Sequence, residues 1–133
     1  MGILQKFSLE NRSAIITGSG RGLGLEIAKS FAEAGAHVWL TGRNAETLQQ
    51  AVDSLRKAGG KADYAAFDIA DTRAGAALVH RIMSELGHLY ILVNNVGARD
   101  RRPLSEFSDE DVLDLIRTDL TSSICLSRDA AEA

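Results

Sequence analysis

Apolar residues in this chain form short runs that alternate with stretches of helical period. The runs are Ala14-Ile15-Ile16, Val38-Trp39-Leu40, Tyr64 to Phe67 and Tyr90 to Val93. After each run, apolar residues return every three or four positions, which is the spacing of one helix face. The pattern therefore predicts four β-α units. Because the runs are apolar throughout, the strands are expected to be buried on both faces, as in a parallel sheet between layers of helices.

Helix boundaries are marked by residues that favour helix ends. Asn44 and Ser108 each precede acidic residues, and their side chains can accept hydrogen bonds from the free amides of a first helical turn. Gly35 and the pair Gly59-Gly60 are typical of helix ends. No linker or repeat interrupts the series. We therefore predict one domain over residues 1–133, an α/β fold with a Rossmann-type, doubly wound parallel sheet truncated after its fourth β-α unit.

The last predicted helix runs from about Ser108 to Glu132 and carries more apolar residues than one face needs. Val112, Ile116, Leu120 and Ile124 recur every four residues and are expected to face the sheet. Leu113, Leu115 and Leu126 are left for other contacts. Exposed apolar helix faces and open edge strands favour association, so we expect a homo-oligomer.

Composition narrows the range of partners. The chain has 133 residues, of which 45% are hydrophobic and 25% are charged, as is typical of a globular protein. Its formal net charge is -3 without a long run of either sign, so we expect neither a nucleic-acid nor a membrane partner. The single cysteine, Cys125, excludes an internal disulfide, and the first residues do not resemble a signal peptide. We expect a cytoplasmic protein without a metal site.

A glycine-rich turn follows the first predicted strand. It consists of Thr17-Gly18-Ser19-Gly20-Arg21-Gly22-Leu23-Gly24 and leads directly into a helical period. A strand-turn-helix junction presents free amides and the positive end of a helix to an anion, and glycine lets a pyrophosphate approach closely. The turn lacks the lysine of a P-loop, and its glycines do not fit the Gly-x-Gly-x-x-Gly spacing. It therefore predicts a phosphate-binding turn of another kind.

Two cofactor classes fit this turn. S-adenosylmethionine methyltransferases share the run Gly18-x-Gly20-x-Gly22, but they place a carboxylate at the end of the second strand. Enzymes that prefer NAD also place a carboxylate about twenty residues past the turn, whereas an arginine there accommodates the 2′-phosphate of NADP. The second strand ends in Thr41-Gly42-Arg43-Asn44, and Arg21 adds a second cation inside the turn. The sequence favours NADP(H), with a methyltransferase as the alternative.

Three motifs together resemble the signature series of the short-chain dehydrogenase/reductase family. They are the turn from Thr17 to Gly24, Phe67-Asp68-Ile69 after the third strand and Asn94-Asn95-Val96-Gly97 after the fourth. The resemblance implies an oxidoreductase that interconverts an alcohol and a ketone. The residues that it assigns to NADP(H) binding are Gly18, Ser19, Arg21, Gly22, Leu23, Gly24, Arg43, Asp68, Ile69, Asn95 and Gly97. In particular, it implies that Asp68 and Ile69 contact adenine and that Asn95 lines the adenosine ribose.

Within the family, two segments look most like the gluconate 5-dehydrogenase group. They are Phe7-Ser8-Leu9-Glu10 and the loop from Arg99 to Leu104. The resemblance therefore implies that the small-molecule substrate of the full-length parent is an alcohol or ketone of the sugar-acid kind.

The family's catalytic groups are a serine, a Tyr-x-x-x-Lys pair and a helix asparagine, in which the tyrosine moves the hydroxyl proton. Tyr64 and Tyr90 are not followed by a lysine at the required position, and the helix asparagine aligns with Asp119. We therefore expect the chain to be the cofactor-binding part of a parent of about twice the length, with Asp119 as its one catalytic candidate. A non-catalytic NADP(H)-binding module or sensor is the other alternative.

Overall fold

Four parallel strands form a single sheet. They span Ser13–Ile16 (β1), His37–Gly42 (β2), Lys61–Ala66 (β3) and Ile91–Val93 (β4) in a computed structural model that describes all residues, 1–133. The strand order is β3-β2-β1-β4, and every neighbouring pair is parallel. The chain adds β2 and β3 on one side of β1 and then returns to add β4 on the other side. This order confirms the predicted Rossmann-type parallel sheet.

The chain forms five α-helices. They span Gly22–Glu33 (α1), Ala45–Lys57 (α2), Thr72–Leu86 (α3), Asp109–Ile116 (α4) and Ser122–Glu132 (α5). Short 3-10 helices occupy Leu4–Phe7 and Leu104–Glu106, and a π-helical turn at Arg117–Thr121 joins α4 to α5. We call this last segment the π-turn.

Hydrophobic side chains pack on both faces of the sheet, as the uniform apolar runs predict. The face covered by α1 and α2 includes Ala14, Ile16, Val38, Leu40, Leu48 and Val52. The face covered by α3 and α5 includes Ile15, Trp39, Leu78, Ile82 and Leu126. Because successive residues of β1 and β2 point to opposite faces, both strands are shielded from solvent on both sides.

The predicted helix caps are confirmed. The Asn44 side chain accepts a hydrogen bond from Thr47 N at 2.9 Å, and Ser108 and Asp111 form a reciprocal capping box. Gly35 and Gly59 follow helices with φ values of +101° and +91°, a backbone conformation that favours glycine. Asp71 caps α3 in the same way through Ala74 N, which the sequence analysis did not predict.

The predicted third strand is shifted relative to the observed one. We predicted Tyr64 to Phe67, whereas β3 begins earlier, at Lys61. β3 lies at the edge of the sheet, so polar residues are tolerated there. Asp63, which interrupts the apolar pattern, accepts hydrogen bonds from His37 of β2 and Arg56 of α2 at 2.6 Å each.

The predicted orientation of the last helix is wrong. The four residues expected to face the sheet are 39% to 59% exposed: Val112, Ile116, Leu120 and Ile124. The buried positions are instead Ser122 and Leu126, both in α5. The π-turn breaks the four-residue register after Ile116, and α4, which precedes it, has no buried residue.

Candidate functional site

The residues predicted to bind a cofactor lie at one edge of the sheet, beyond the carboxyl ends of its strands. The glycine-rich turn follows β1, Arg43 follows β2, Asp68 follows β3 and Asn95 follows β4. β1 and β4 are neighbours in the sheet, although β2 and β3 separate them in the sequence. Ligands of open parallel sheets bind at such a switch in strand order. The geometry therefore fits a ligand site between the turn and the end of β4.

The turn is shaped by glycines that no other residue could replace without strain. Gly18 and Gly22 both have φ values of +60°. A Cβ on Gly24 would lie 2.4 Å from Gly18 O and 2.6 Å from Asn95 Nδ2. A Cβ on Gly22 would meet nothing within 4 Å, so the outer side of the turn is open. The turn thus combines a tightly packed inner side with an unobstructed outer backbone.

The amino-terminal end of α1 differs from those of α2, α3 and α4. Side chains of Asn44, Asp71 and Ser108 cap those three helices. The N-cap residue of α1 is Arg21, and it provides no capping hydrogen bond. The first amides of a helix have no partner within it, and together with the helix dipole they attract an anion. An open helix end beside a glycine turn is the geometry of a pyrophosphate site.

Thr17 joins the turn to the segment after β4. It is buried, and its Oγ1 accepts hydrogen bonds from Asn95 N at 2.9 Å and Val96 N at 3.2 Å while donating to Val93 O at 3.3 Å. Asn95 Nδ2 donates in turn to Gly18 O at 3.2 Å. Thr17 was predicted from the sequence only as the first residue of the motif, and its one local signal was its position directly after an apolar run.

Ser19 is fully buried beneath the turn. Its Oγ donates to Ile16 O at 2.6 Å and accepts from Thr41 N at 3.2 Å, and its own N–H donates to Thr41 O at 3.0 Å. The side chain therefore holds the turn against the end of β2. Direct contact between Ser19 and a cofactor stays a prediction.

Two arginines supply positive charge beside the turn. Arg21 and Arg43 are exposed, and no carboxylate of the chain pairs with either. Gly20 packs against Thr47 and Leu48 at the start of α2. The turn that carries Arg21 therefore lies beside the segment that joins β2 to α2 and carries Arg43. Both guanidinium groups are therefore available to pair with an anion.

The remaining predicted contacts lie around this centre. Leu23 is 70% exposed at the start of α1. Asp68 is exposed, and its Oδ1 accepts a hydrogen bond from Ala70 N at 2.9 Å, while Ile69 packs against the core under α3. Gly97 is exposed, and a Cβ there would meet nothing within 4 Å. The roles of these four residues in binding stay predictions.

Asp119 connects the π-turn to the segment that follows β4. Its Oδ1 accepts a hydrogen bond from Ala98 N at 2.6 Å. The neighbouring hydroxyl groups of Ser122 and Ser123 donate to carbonyl groups one turn earlier, which satisfies acceptors that the π-turn displaces. Asp119 therefore holds the strand-end segment in place, and a catalytic role for it stays a prediction.

The loop between β4 and α4 carries one arginine that is already paired. Arg102 binds Asp100 through two nitrogens, lies over the Phe107 ring at 4.8 Å and approaches Asp111 at 3.5 Å. The hydrogen bonds with Asp100 and the nearby charge of Asp111 raise the pKa of the Arg102 guanidinium, and the hydrogen bonds from Arg102 hold the pKa of the Asp100 carboxyl below its ordinary value. A hydrogen bond from Ser108 N lowers the pKa of Asp111.

The side chains gather no group of three or more histidine, cysteine, aspartate or glutamate residues that could hold a metal ion. None of the helices has the length and apolar character needed to span a bilayer.

Comparison with protein families gives one match over most of the chain. The family model described as short chain dehydrogenase matches residues 12–133. Gluconate 5-dehydrogenase from Gluconobacter oxydans (strain 621H) is 43% identical over 116 residues, which are 87% of this chain and 45% of that protein. The chain thus spans less than half the length of this curated relative.

Solved structures also match nearly the whole chain and about half of each matched protein. A gluconate 5-dehydrogenase from Burkholderia cenocepacia J2315 in complex with NADP and tartrate is 37% identical with a TM-score of 0.88, and the match covers 98% of this chain and 51% of that one. L-Sorbose reductase from Gluconobacter frateurii, complexed with NADPH and L-sorbose, is 31% identical with a TM-score of 0.90 over 95% of this chain and 48% of that one.

Proposed function

Because this chain belongs to the short-chain dehydrogenase family, we propose that it forms the NADP(H)-binding part of an oxidoreductase that interconverts an alcohol and a ketone. The family match removes the reason to consider a methyltransferase. Bound NADP(H) would carry the hydride, and the residues of this chain would hold its pyrophosphate, adenine and ribose. The two tyrosines lie in or beside strands β3 and β4, so we expect the isolated chain to bind cofactor without oxidising an alcohol.

One observation carries the proposal for NADP(H) over NAD(H): Arg43 follows β2, and no carboxylate occupies the end of that strand. In sheets of this type the residue after the second strand faces the adenosine ribose. Asn44, the next polar side chain, is already used to cap α2. The position thus offers a cation for a 2′-phosphate and no acceptor for a 2′-hydroxyl. The complexes of two structural relatives with NADP and NADPH support the same choice.

We expect the unmutated chain to bind NADPH more tightly than NADH and Arg43→Ala to lose most of that difference. Removing a charge-assisted contact to phosphate should weaken NADPH binding by about tenfold to a hundredfold. NADH binding should change little because NADH has no 2′-phosphate. Fluorescence or calorimetric titration with both cofactors measures the two affinities.

Lys57→Ala is the matched control, because it removes one positive charge from the last turn of α2, at the helix end away from Arg43. Its NADPH affinity should stay near that of the unmutated chain. Equal affinity of the unmutated chain for both cofactors would refute the proposed preference.

We also propose that the substrate of the whole protein is a sugar acid or a related sugar. The support is the naming of relatives as gluconate 5-dehydrogenase and L-sorbose reductase. Assays of the full-length protein with gluconate, sorbose and a simple aliphatic alcohol would distinguish a sugar-type substrate from a plain alcohol.

We further propose that two copies of the chain associate through α4, the π-turn and α5. Ile116, Leu120 and Ile124 are 45%, 54% and 59% exposed along this segment, and burial of each leucine or isoleucine contributes about 1.5 to 3 kcal/mol. Sedimentation of the purified chain should give a dimer or larger species, which Leu120→Glu should shift towards the monomer. A stable monomer at high concentration would contradict this expectation.

A further inference from the structure

Ser19 forms a two-way connection between the glycine turn and the end of β2. Its hydroxyl accepts from Thr41 N, and its own N–H donates to Thr41 O. Both residues are almost completely buried, at 0% and 2% exposure. The same hydroxyl donates to Ile16 O at 2.6 Å, so both hydrogen bonds that it makes are to protein backbone.

The segment that this connection holds carries Arg43. Arg43 lies two residues beyond Thr41, and Gly42 O between them accepts a hydrogen bond from Phe67 N at 2.9 Å on the β3 side. The end of β2 is therefore fixed from one side by β3 and from the other side by Ser19. Arg21, the second cation, lies two residues beyond Ser19 in the turn itself.

We propose that Ser19 is a positioning residue that sets the preference for NADPH over NADH by fixing the distance between the glycine turn and Arg43. The inference rests on the proposed function. The pyrophosphate and the 2′-phosphate belong to one covalently connected ligand, so the turn and Arg43 can both bind only if their separation matches that ligand. NADH has no 2′-phosphate for Arg43 to bind, so its affinity should not depend on the distance between the glycine turn and Arg43.

Ser19→Ala tests the proposal, because it removes the hydroxyl together with its hydrogen bonds to Thr41 N and Ile16 O. We expect the NADPH dissociation constant to rise by roughly tenfold, the equivalent of about one hydrogen bond. The NADH constant should rise by less than about twofold, since NADH has no 2′-phosphate for a displaced Arg43 to lose. Ser30→Ala is the matched control, because the Ser30 hydroxyl bonds only to Glu26 O within α1, and its ratio of affinities should not change.

A double-mutant cycle with Arg43→Ala separates positioning from general damage. In the Arg43→Ala background, Ser19→Ala should have little further effect on NADPH affinity. An undiminished effect in that background, or equal weakening of NADPH and NADH, would overturn the inference. The proposed function is tested separately, by the unmutated chain. If that chain binds NADPH and NADH equally, the proposed cofactor preference is wrong, whatever the Ser19 variants show.

Two further measurements keep the test independent of folding defects. Hydrogen exchange at the Thr41 amide should be faster in Ser19→Ala than in Ser30→Ala. If Ser19→Ala does not fold, Ser19→Cys replaces it, because a thiol keeps the side chain's shape but donates and accepts only weakly. Its NADPH preference should be reduced, and an unchanged preference in a folded variant would contradict the proposal.

Discussion

Gly24→Ala is expected to lose detectable cofactor binding and at least about 3 kcal/mol of the free energy of unfolding. The new Cβ would lie 2.4 Å from Gly18 O, 2.6 Å from Asn95 Nδ2 and 2.9 Å from Ser19 Cα. Two of these neighbours are backbone atoms of the turn, so relief requires α1 to move away from it. Urea denaturation measures the stability, and NADPH titration of the folded protein measures the binding.

Gly75→Ala provides a closely matched control. Gly75 is also buried in the first turn of a helix, but a Cβ there would meet only Leu126 Cδ1, at 3.4 Å, an ordinary van der Waals contact. Alanine is the better helix former, so this variant should be more stable by about 0.5 to 1 kcal/mol. If Gly24→Ala and Gly75→Ala were equally stable, close packing would not explain why glycine is required at position 24.

Thr17→Val should have the second-largest effect. Valine has nearly the shape of threonine but leaves Asn95 N and Val96 N without their acceptor. An unsatisfied buried group costs about 1 to 3 kcal/mol, and these two amides are partly buried, so we expect a total loss of about 2 to 4 kcal/mol in the free energy of unfolding. Cofactor affinity should fall as well, because the segment that carries Asn95 is no longer held against the turn.

Thr41→Val is the control for this substitution. Thr41 is also a buried threonine, and its backbone, not its hydroxyl, makes the hydrogen bonds to Ser19. Its loss of stability should stay below about 1 kcal/mol. An equal loss in the two valine variants would show that the bonds of Thr17 do not stabilise the site.

Features that depend on a few neighbouring residues could be predicted from the sequence. Asn44 and Ser108 cap helices because their side chains reach amides three positions later. Gly35 ends a helix because its own backbone conformation favours glycine. The sheet followed from the apolar runs, since only a parallel sheet between helix layers buries both faces of so many strands.

Features that depend on distant contacts could not be predicted. The hydrogen bond between Thr17 and Asn95 N joins residues 78 positions apart, and no local pattern encodes it. The π-turn shifts the register of the last helix after Ile116, and α4 has no buried residue, so the four-residue spacing of the apolar residues did not identify the buried positions. Ser19 was predicted from the motif as a cofactor contact, whereas its bonds to Ile16 and Thr41 appear only when β1 and β2 lie side by side.

The uncapped start of α1 sets a limit on how stable this protein can become while it keeps its ligand. Asp, Asn or Ser in place of Arg21 would satisfy the free amides of the first turn and add about 1 kcal/mol of stability. The same side chain would compete with the incoming anion for those amides. Selection for heat resistance and selection for binding therefore oppose each other at this one position, and a thermostable variant that acquired such a cap would be expected to release its nucleotide more readily.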